Sequence, residues 1–287
     1  MTVLVTGAQG YIGRYTVAAL LKSGNRVIGT GRSVRVDGTF THTLGEAKSR
    51  RVPLPGDLRR TLEGFGRYEY RQCDLADADQ VAAMVSEVTP THVIHLAAAL
   101  RDENWSTLLA SNLHSTVNLL NALARLPVRP TVVIASSARE AGMSVAIARI
   151  FNVIGPGLQT RHLPGLLAHA IAEHERLGIP ARLQLGDLSA VRHFIDVRDV
   201  ADCLAESKGW AGVVCVNLAS QVAPVSRVVE AFGGRASVCV DISQNLANGK
   251  VGADSMRADV SLMSALYTPC VSFDQSIDDM LAFARSV

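Results

Sequence analysis

Three glycines at a spacing of three, Gly7, Gly10 and Gly13, lie in the stretch "VTGAQGYIGR" (5–14), between a strand-like run and a helix-like one. That arrangement suits a pyrophosphate. Gly7 permits a tight turn, Gly10 lets the backbone approach the phosphates, and Gly13 lets the following helix pack on its sheet. The phosphates then meet the free N–H groups and the positive dipole end of a helix that begins at Tyr11 and Ile12. At the end of the second strand the sequence reads "GTGRS", with Arg32 and no acid. A carboxylate at that place binds a ribose 2′-hydroxyl, whereas a guanidinium can bind a 2′-phosphate through two hydrogen bonds. Arg14, directly after the third glycine, offers a second positive charge. The residues favour NADPH/NADP+ over NAD(H).

The elements that must position this site are legible as short apolar runs alternating with helical stretches. Strands are expected at 2–7, 26–32, 68–75, 92–99, 131–137 and 144–151, and helices at 11–24, 77–88 and 104–126. Uninterrupted Val/Ile/Leu runs fit a sheet covered on both faces. The expected fold is α/β: a Rossmann-like doubly wound parallel sheet with a smaller C-terminal substrate lobe. Residues 1–150 form the NADP-binding core in this reading. Residues 151–287 form mainly the substrate lobe, with some segments returning to the core. The stretch 33–66 is poorly periodic and long for a strand-to-strand connection. It reads either as a solvated loop or as a lid over the site.

Composition narrows the function classes. Of 287 residues, 48% are hydrophobic and 19% charged, enough for a sizeable core, and the net charge of +2 suggests neither a nucleic-acid nor a membrane surface. No apolar run reaches the roughly 18 residues of a membrane span, and the start of the chain lacks the layout of a signal peptide. Five scattered cysteines without a CxxC pair fit reduced thiols in a cytoplasmic protein. His169 and His174 stand five apart, off the one-face spacing of a helix, so no metal site is expected.

Further stretches add to the glycine turn: "CDL" (73–75), "HLAA" (95–98), "SNLHST" (111–116), "SSA" (136–138), "RIFNVIGPG" (149–157) and "RHFIDVRDV" (192–200). Together they resemble the extended branch of the short-chain dehydrogenase/reductase superfamily, which includes sugar-nucleotide epimerases and dehydratases. The resemblance implies that Asp74 holds the adenine with Leu75 beside it, that Ala97 and Ala98 lie along the nicotinamide ribose, and that Phe151 touches the cofactor. It implies Ser137 at the catalytic serine position and Asn112 at the helix asparagine. On the substrate side it places Ser136, Asn152, His162 and His193.

One part of that pattern is missing. The family's working pair, Tyr-x-x-x-Lys, lies on a helix between the serine strand and "RIFNVIGPG". Here only eleven residues, 138–148, separate Ser137 from Arg149. Nor has the pair moved: four residues after Tyr11, Tyr15, Tyr68, Tyr70 and Tyr267 stand Tyr15, Ala19, Gln72, Asp74 and Val271. The same helix normally contributes to the family's dimer interface, so its loss points to a monomer.

Reducing a ketone leaves an alkoxide that must be protonated. A positioned general acid is worth roughly 10²–10⁴-fold. Three sources can replace the tyrosine. Ser137 can orient and polarise the carbonyl, although as a poor acid, or can simply bond nearby backbone. A histidine can donate, with His95, His162 and His193 as candidates. Or the substrate can bring its own proton, from a phenol already hydrogen-bonded to the carbonyl oxygen. The last route predicts a small-molecule aromatic ketone of polycyclic polyketide type, angucyclinone-like, and an NADPH-dependent ketoreductase. A non-catalytic NADP(H)-sensing protein and a sugar-nucleotide epimerase or dehydratase-like enzyme are the competing readings.

Overall fold

The computed structural model describes residues 1–45, 48–99, 103–135, 145–210, 215–244 and 258–287. In chain order these form β1 (Thr2–Thr6), α1 (Tyr11–Lys22), β2 (Arg26–Gly31), β3 (Thr39–Gly45), β4 (Lys48–Pro53), α2 (Gly56–Gly64) and β5 (Tyr68–Gln72). Next come α3 (Ala78–Val88), β6 (His92–His95), α4 (Trp105–Leu108), a π-helical turn (Leu109–His114), α5 (Ser115–Ala124), β7 (Thr131–Ile134) and β8 (Val145–Ile150). The remainder is β9 (Asn152–Ile154), α6 (Leu163–Leu177), β10 (Ala181–Leu185), β11 (Val191–Asp196), α7 (Val197–Glu206), β12 (Cys215–Leu218), β13 (Gln221–Pro224), α8 (Val225–Gly233), β14 (Val240–Gln244), α9 (Ser261–Leu266) and α10 (Phe273–Ser286).

The main sheet has seven strands in the order β12-β8-β7-β6-β1-β2-β5. From β5 through to β8 every neighbouring pair is parallel. The chain winds outward from β1 to β2 and β5, then returns to the other side of β1 at β6. The order therefore reverses between β1 and β6, and a doubly wound sheet binds its ligand outside the strand ends at such a point. Val3, Leu4 and Val5 of β1 are fully buried, as both-faces-covered strands require. On one face α3 and α5 lay Val81, Met84, Val85, Leu119 and Leu123 over Leu4, Ile28, Val93 and Val132. Asp77 starts α3 by accepting the Asp79 and Gln80 N–H groups, an N-cap that satisfies two otherwise orphaned donors.

The β7–β8 register bears on the missing helix. Val132, Val133 and Ile134 lie opposite Val145, Ala146 and Ile147 in a parallel pair, joined by only the ten residues 135–144. Parallel neighbours ordinarily need a crossover of a dozen or more residues, usually a helix. The joining sequence, "ASSAREAGMS", contains neither Tyr nor Lys. The strand after the deleted segment thus keeps its place beside β7. Ser136 and Ser137 fall in this connection and lie outside the described residues.

Two sequence expectations need correction. The stretch 33–66 is not a structureless loop: it contains β3, β4 and α2. Its signal was local. "TFTHTLG" alternates, and Phe40 is fully buried against the rings of Tyr11 and Tyr15, with centroids 5.8 and 6.4 Å away. Leu58 and Leu62, one helical turn apart, are the buried residues of α2, which packs on α1. The single helix expected over 104–126 is instead broken by the π turn that carries Asn112.

The chain divides into two compact units. The first comprises Met1–Thr41, Gly56–Arg149 and Ala201–Val216, and the second His42–Pro55, Ile150–Val200 and Asn217–Val287. Relative to a simple break at 150, residues 42–55 go to the second unit and 201–216 return to the first. Within the second unit, β11 pairs with β9 in parallel and with β13 antiparallel, while β10 pairs with β14. There Asp196, buried, binds Arg198 through both carboxylate oxygens and accepts the Ser276 hydroxyl. No described helix is long and apolar enough to cross a membrane.

Candidate functional site

A cleft of about 250 Å³ opens in the first unit, where the sheet order reverses. Of the residues expected to hold a cofactor, Gly7, Gly10, Arg32, Asp74, Leu75, Ala97 and Ala98 all line it. Gly7 has φ 66°, and a Cβ there would stand 2.9 Å from the Ala97 nitrogen. Gly10 is the N-cap of α1, extended and without a capping side chain, so the first turn of the helix meets no side-chain acceptor of its own. Gly13 has a sharper reason than packing on the sheet. A Cβ at Gly13 would lie 2.1 Å from the Gly7 carbonyl oxygen, inside the turn itself. This backbone cradle, closed to side chains and ending on a helix N-terminus, fits a dinucleotide pyrophosphate.

Around it the remaining parts take their places. Arg32 and Ser33 follow β2 at the cleft. The Arg32 carbonyl accepts from Gln72 Nε2 at 3.0 Å, and the Ser33 carbonyl accepts from the Tyr70 hydroxyl at 2.7 Å. Asp74 turns one carboxylate oxygen back to the Ala76 N–H at 3.0 Å. Asn118 donates to the carbonyls of Leu75 and Ala76, fixing the strand end that carries them.

Three further residues expected at the cofactor, Tyr11, Ile12 and Arg14, follow Gly10 in the first turn of α1. Tyr11 packs its ring against Tyr15 and Phe40. Ile12 gives its carbonyl to the Thr16 hydroxyl within α1. Arg14 is corrected outright: it is 2% exposed, and its guanidinium donates to the Gln9 side chain and to the carbonyls of Val36 and Thr39. Burial pulls its pKa below the ordinary arginine value. It is not a surface cation waiting for a phosphate.

At the ends of β1 and β6 a chain of hydrogen bonds has only one consistent direction. The Leu96 and Ala97 N–H groups donate to Thr6 Oγ1 at 3.2 and 3.1 Å. Thr6 must then give its own proton to His95 Nδ1, 2.6 Å away. The His95 proton therefore sits on Nε2 and goes to Thr116 Oγ1 at 3.0 Å, whose hydroxyl donates to the Asn112 carbonyl at 2.8 Å. Burial lowers the His95 pKa to about 4. Neutral, and with its single N–H engaged, His95 is removed from the candidate proton donors. The Asn112 amide closes the loop, accepting from the Ala99 N–H at 2.7 Å and donating to the Ala99 carbonyl at 3.1 Å. With no lysine to serve, this asparagine secures the segment after β6.

Of the residues expected on the substrate side, Asn152, His162 and His193 lie in the second unit. His193 is buried, its Nε2 accepting the Ala258 N–H at 2.9 Å and its ring 5.6 Å from that of Phe151. Asn152 donates to the His193 carbonyl at 2.8 Å, tying β9 to β11. His162 is exposed and caps the start of α6, where its carbonyl accepts the Leu166 N–H. Two residues escaped the sequence reading. Gln9, buried in the glycine turn, reaches across to residues 34–36. His42, on β3, donates to the Gly157 carbonyl at 3.0 Å, and burial lowers its pKa to about 4.

This chain belongs to the NAD dependent epimerase/dehydratase family, whose sequence pattern matches residues 3–143 and 133–206. The two matches meet in the connection between β7 and β8. A UDP-glucuronate 4-epimerase of Arabidopsis thaliana is 31% identical over 151 residues, 51% of this chain but only 31% of the epimerase. The chain thus spans about a third of the length of that curated relative. The GDP-6-deoxy-D-mannose reductase of Pseudomonas aeruginosa is 29% identical over 223 residues, 61% of this chain and 72% of the reductase. Among solved structures, the UDP-glucose 4-epimerase of Thermus thermophilus in complex with NAD superposes with a TM-score of 0.71 at 22% identity, covering 99% of both chains. The UDP-glucose-4-epimerase of Stenotrophomonas maltophila gives 0.74 at 19%, covering 100% of this chain and 98% of its own. At such identities the structural likeness establishes the fold.

Proposed function

We propose that this chain is an NADPH-dependent ketoreductase that works without the family's Tyr–Lys pair and reduces a carbonyl of a polycyclic aromatic polyketide, angucyclinone-like. The observation that carries this reading is the pairing of an intact nucleotide cleft with a ten-residue β7–β8 connection free of Tyr and Lys. The chain also looks like the atypical ketoreductase of simocyclinone biosynthesis, which lacks the same pair.

In this reading the turn at Gly7 and Gly10 and the first N–H groups of α1 hold the pyrophosphate. Arg32 binds the 2′-phosphate, Asp74 with Leu75 the adenine side, and Ala97 with Ala98 the nicotinamide ribose, with Phe151 and the start of α1 completing the cofactor site. NADPH, when bound, supplies a hydride. Ser137 orients the substrate carbonyl, and Ser136, Asn152, His162 and His193 belong to the substrate side. The proton comes from the substrate: a phenol beside the carbonyl gives its proton to the carbonyl oxygen as that oxygen gains charge. The phenolate left behind is delocalised and recovers its proton from water. A protein acid is then unnecessary, and a monomer without the deleted helix suffices.

The relatives favour a second reading, a sugar-nucleotide epimerase or reductase. An epimerase must remove a proton and return it, which is the work that suffers most without Tyr and Lys. The test is NADPH absorbance with the purified protein. Steady NADPH consumption with a phenolic polycyclic ketone supports the ketoreductase. Conversion of a UDP-sugar without net NADPH consumption supports the epimerase. Binding of NADPH with no conversion of either supports the sensor.

A further inference from the structure

Arg14 raises a question that phosphate binding does not answer: why a guanidinium is buried beside a nucleotide cleft. Residues 32–38 form neither helix nor strand, so nothing in their own ladder fixes them. Their position comes from two side chains of the glycine turn and helix. Gln9 Nε2 donates to the Val34 carbonyl at 3.0 Å, and Gln9 Oε1 accepts the Val36 N–H at 2.6 Å. Arg14 Nη2 donates to the Thr39 carbonyl at 3.0 Å, to the Val36 carbonyl, and to Gln9 Oε1 at 3.4 Å. The Gln9 carbonyl then accepts the Thr41 N–H at 3.1 Å. Both side chains are buried, at 3% and 2% exposure. Just before this clamped stretch stand Arg32 and Ser33, held from the other side by Gln72 and Tyr70.

We infer that Gln9 and Arg14 are positioning residues that set cofactor selectivity, by fixing residues 34–41 and through them the Arg32–Ser33 corner at the ribose 2′ end of the cleft. This rests on the NADP(H) reading above. The Arg14 bonds all leave one nitrogen, Nη2, at the tip of a side chain that reaches farther than a lysine's, so an ammonium at this position falls short of the two carbonyls. The clamp costs the burial of a charge, and its return is a preformed 2′-phosphate corner that need not be ordered at binding.

The test uses the whole protein as Arg14→Lys and, separately, Gln9→Met, which leaves the guanidinium in place should the lysine variant fold poorly. Dissociation constants for NADPH and NADH are measured, with amide hydrogen exchange of the cofactor-free protein. The expected result is a rise of about tenfold or more in the NADPH constant with NADH changed less than about threefold. Exchange should quicken over 34–41 and stay unchanged in β1. Retained NADPH affinity in Arg14→Lys, or equal weakening of both cofactors in both variants, overturns the proposal while leaving the NADP(H) reading intact. Equal binding of NADPH and NADH by the unaltered protein overturns the NADP(H) reading, and the selectivity role with it.

Discussion

The hydroxyl of Thr6 lies 2.6 Å from His95 Nδ1 while accepting the N–H groups of Leu96 and Ala97, so the imidazole can only be an acceptor at that nitrogen. A proton added to Nδ1 would oppose the threonine's own. Burial lowers the folded-state pKa of His95 to about 4 from 6.5. As pH falls below 6.5 the unfolded chain takes up a proton that the folded chain refuses, so stability is full above 6.5 and is lost between 6.5 and 4. His92 and His42 shift the same way, both to about 4. Thermal midpoints should be level from about pH 8 to 7 and fall steadily below about 6.5. A His95→Gln variant should show a shallower fall, although a lower midpoint at neutral pH. An identical slope would mean that His95 is not neutral and buried as found.

The glycine turn makes a graded prediction. Gly13→Ala forces a methyl carbon to 2.1 Å from the Gly7 carbonyl oxygen, which is backbone and cannot swing aside. Overpacking of this kind costs about 1–3 kcal/mol or more, and the cradle opens as it relaxes. Urea midpoints should drop and NADPH binding should be lost. Gly64→Ala is the control, since nothing lies within 4 Å of its added Cβ. That variant should be neutral or gain up to about 1 kcal/mol, with cofactor binding unaltered.

Arg32→Ala separates the two nicotinamide cofactors. Losing charge-assisted hydrogen bonds of about 1.5–3 kcal/mol corresponds to roughly 10–150-fold in the NADPH dissociation constant. NADH, which lacks the 2′-phosphate, should bind the variant as it binds the unaltered protein. Fluorescence titration of both cofactors reads the difference directly. An equal loss for both would show that Arg32 supports the turn rather than the phosphate.

Much of this was legible because the dinucleotide half is written in local patterns. Gly7, Gly10, Arg32 and Ala97 follow strands with apolar runs, Asp74 follows the polar strand β5 and is marked instead by "CDL", and they meet in one cleft. Arg14 reads as an exposed cation because sequence shows charge but not burial: its partners, Val36 and Thr39, lie more than twenty residues away. Gln9 was missed for the same reason, since a glutamine between small residues gives no hint that it reaches Val34 and Val36. The segment 33–66 reads as aperiodic because the alternation around Phe40 is confined to the seven residues of β3, and the glycines, prolines and arginines that flank it carry no period. His95 and His193 looked alike as candidate donors in sequence. Only the partners of their ring nitrogens, Thr6 with Thr116 and the Ala258 amide, show both to be engaged.

Ser137 is assigned an orienting part, not the proton. Ser137→Ala should then lower kcat by no more than about tenfold, well short of the roughly 10²–10⁴-fold typical of a lost general acid. Steady-state kinetics with a phenolic ketone measures this. A drop of about a thousandfold or more would return the acid's role to the protein.

The most direct measurement follows NADPH absorbance with two matched polycyclic ketones, one carrying a free phenol beside the carbonyl and the other with that phenol methylated. Substrate-supplied protonation predicts turnover of the phenol and none above background for its methyl ether, with both ketones binding the NADPH-loaded protein. Turnover of both at similar rates would contradict it and place a proton donor within the protein.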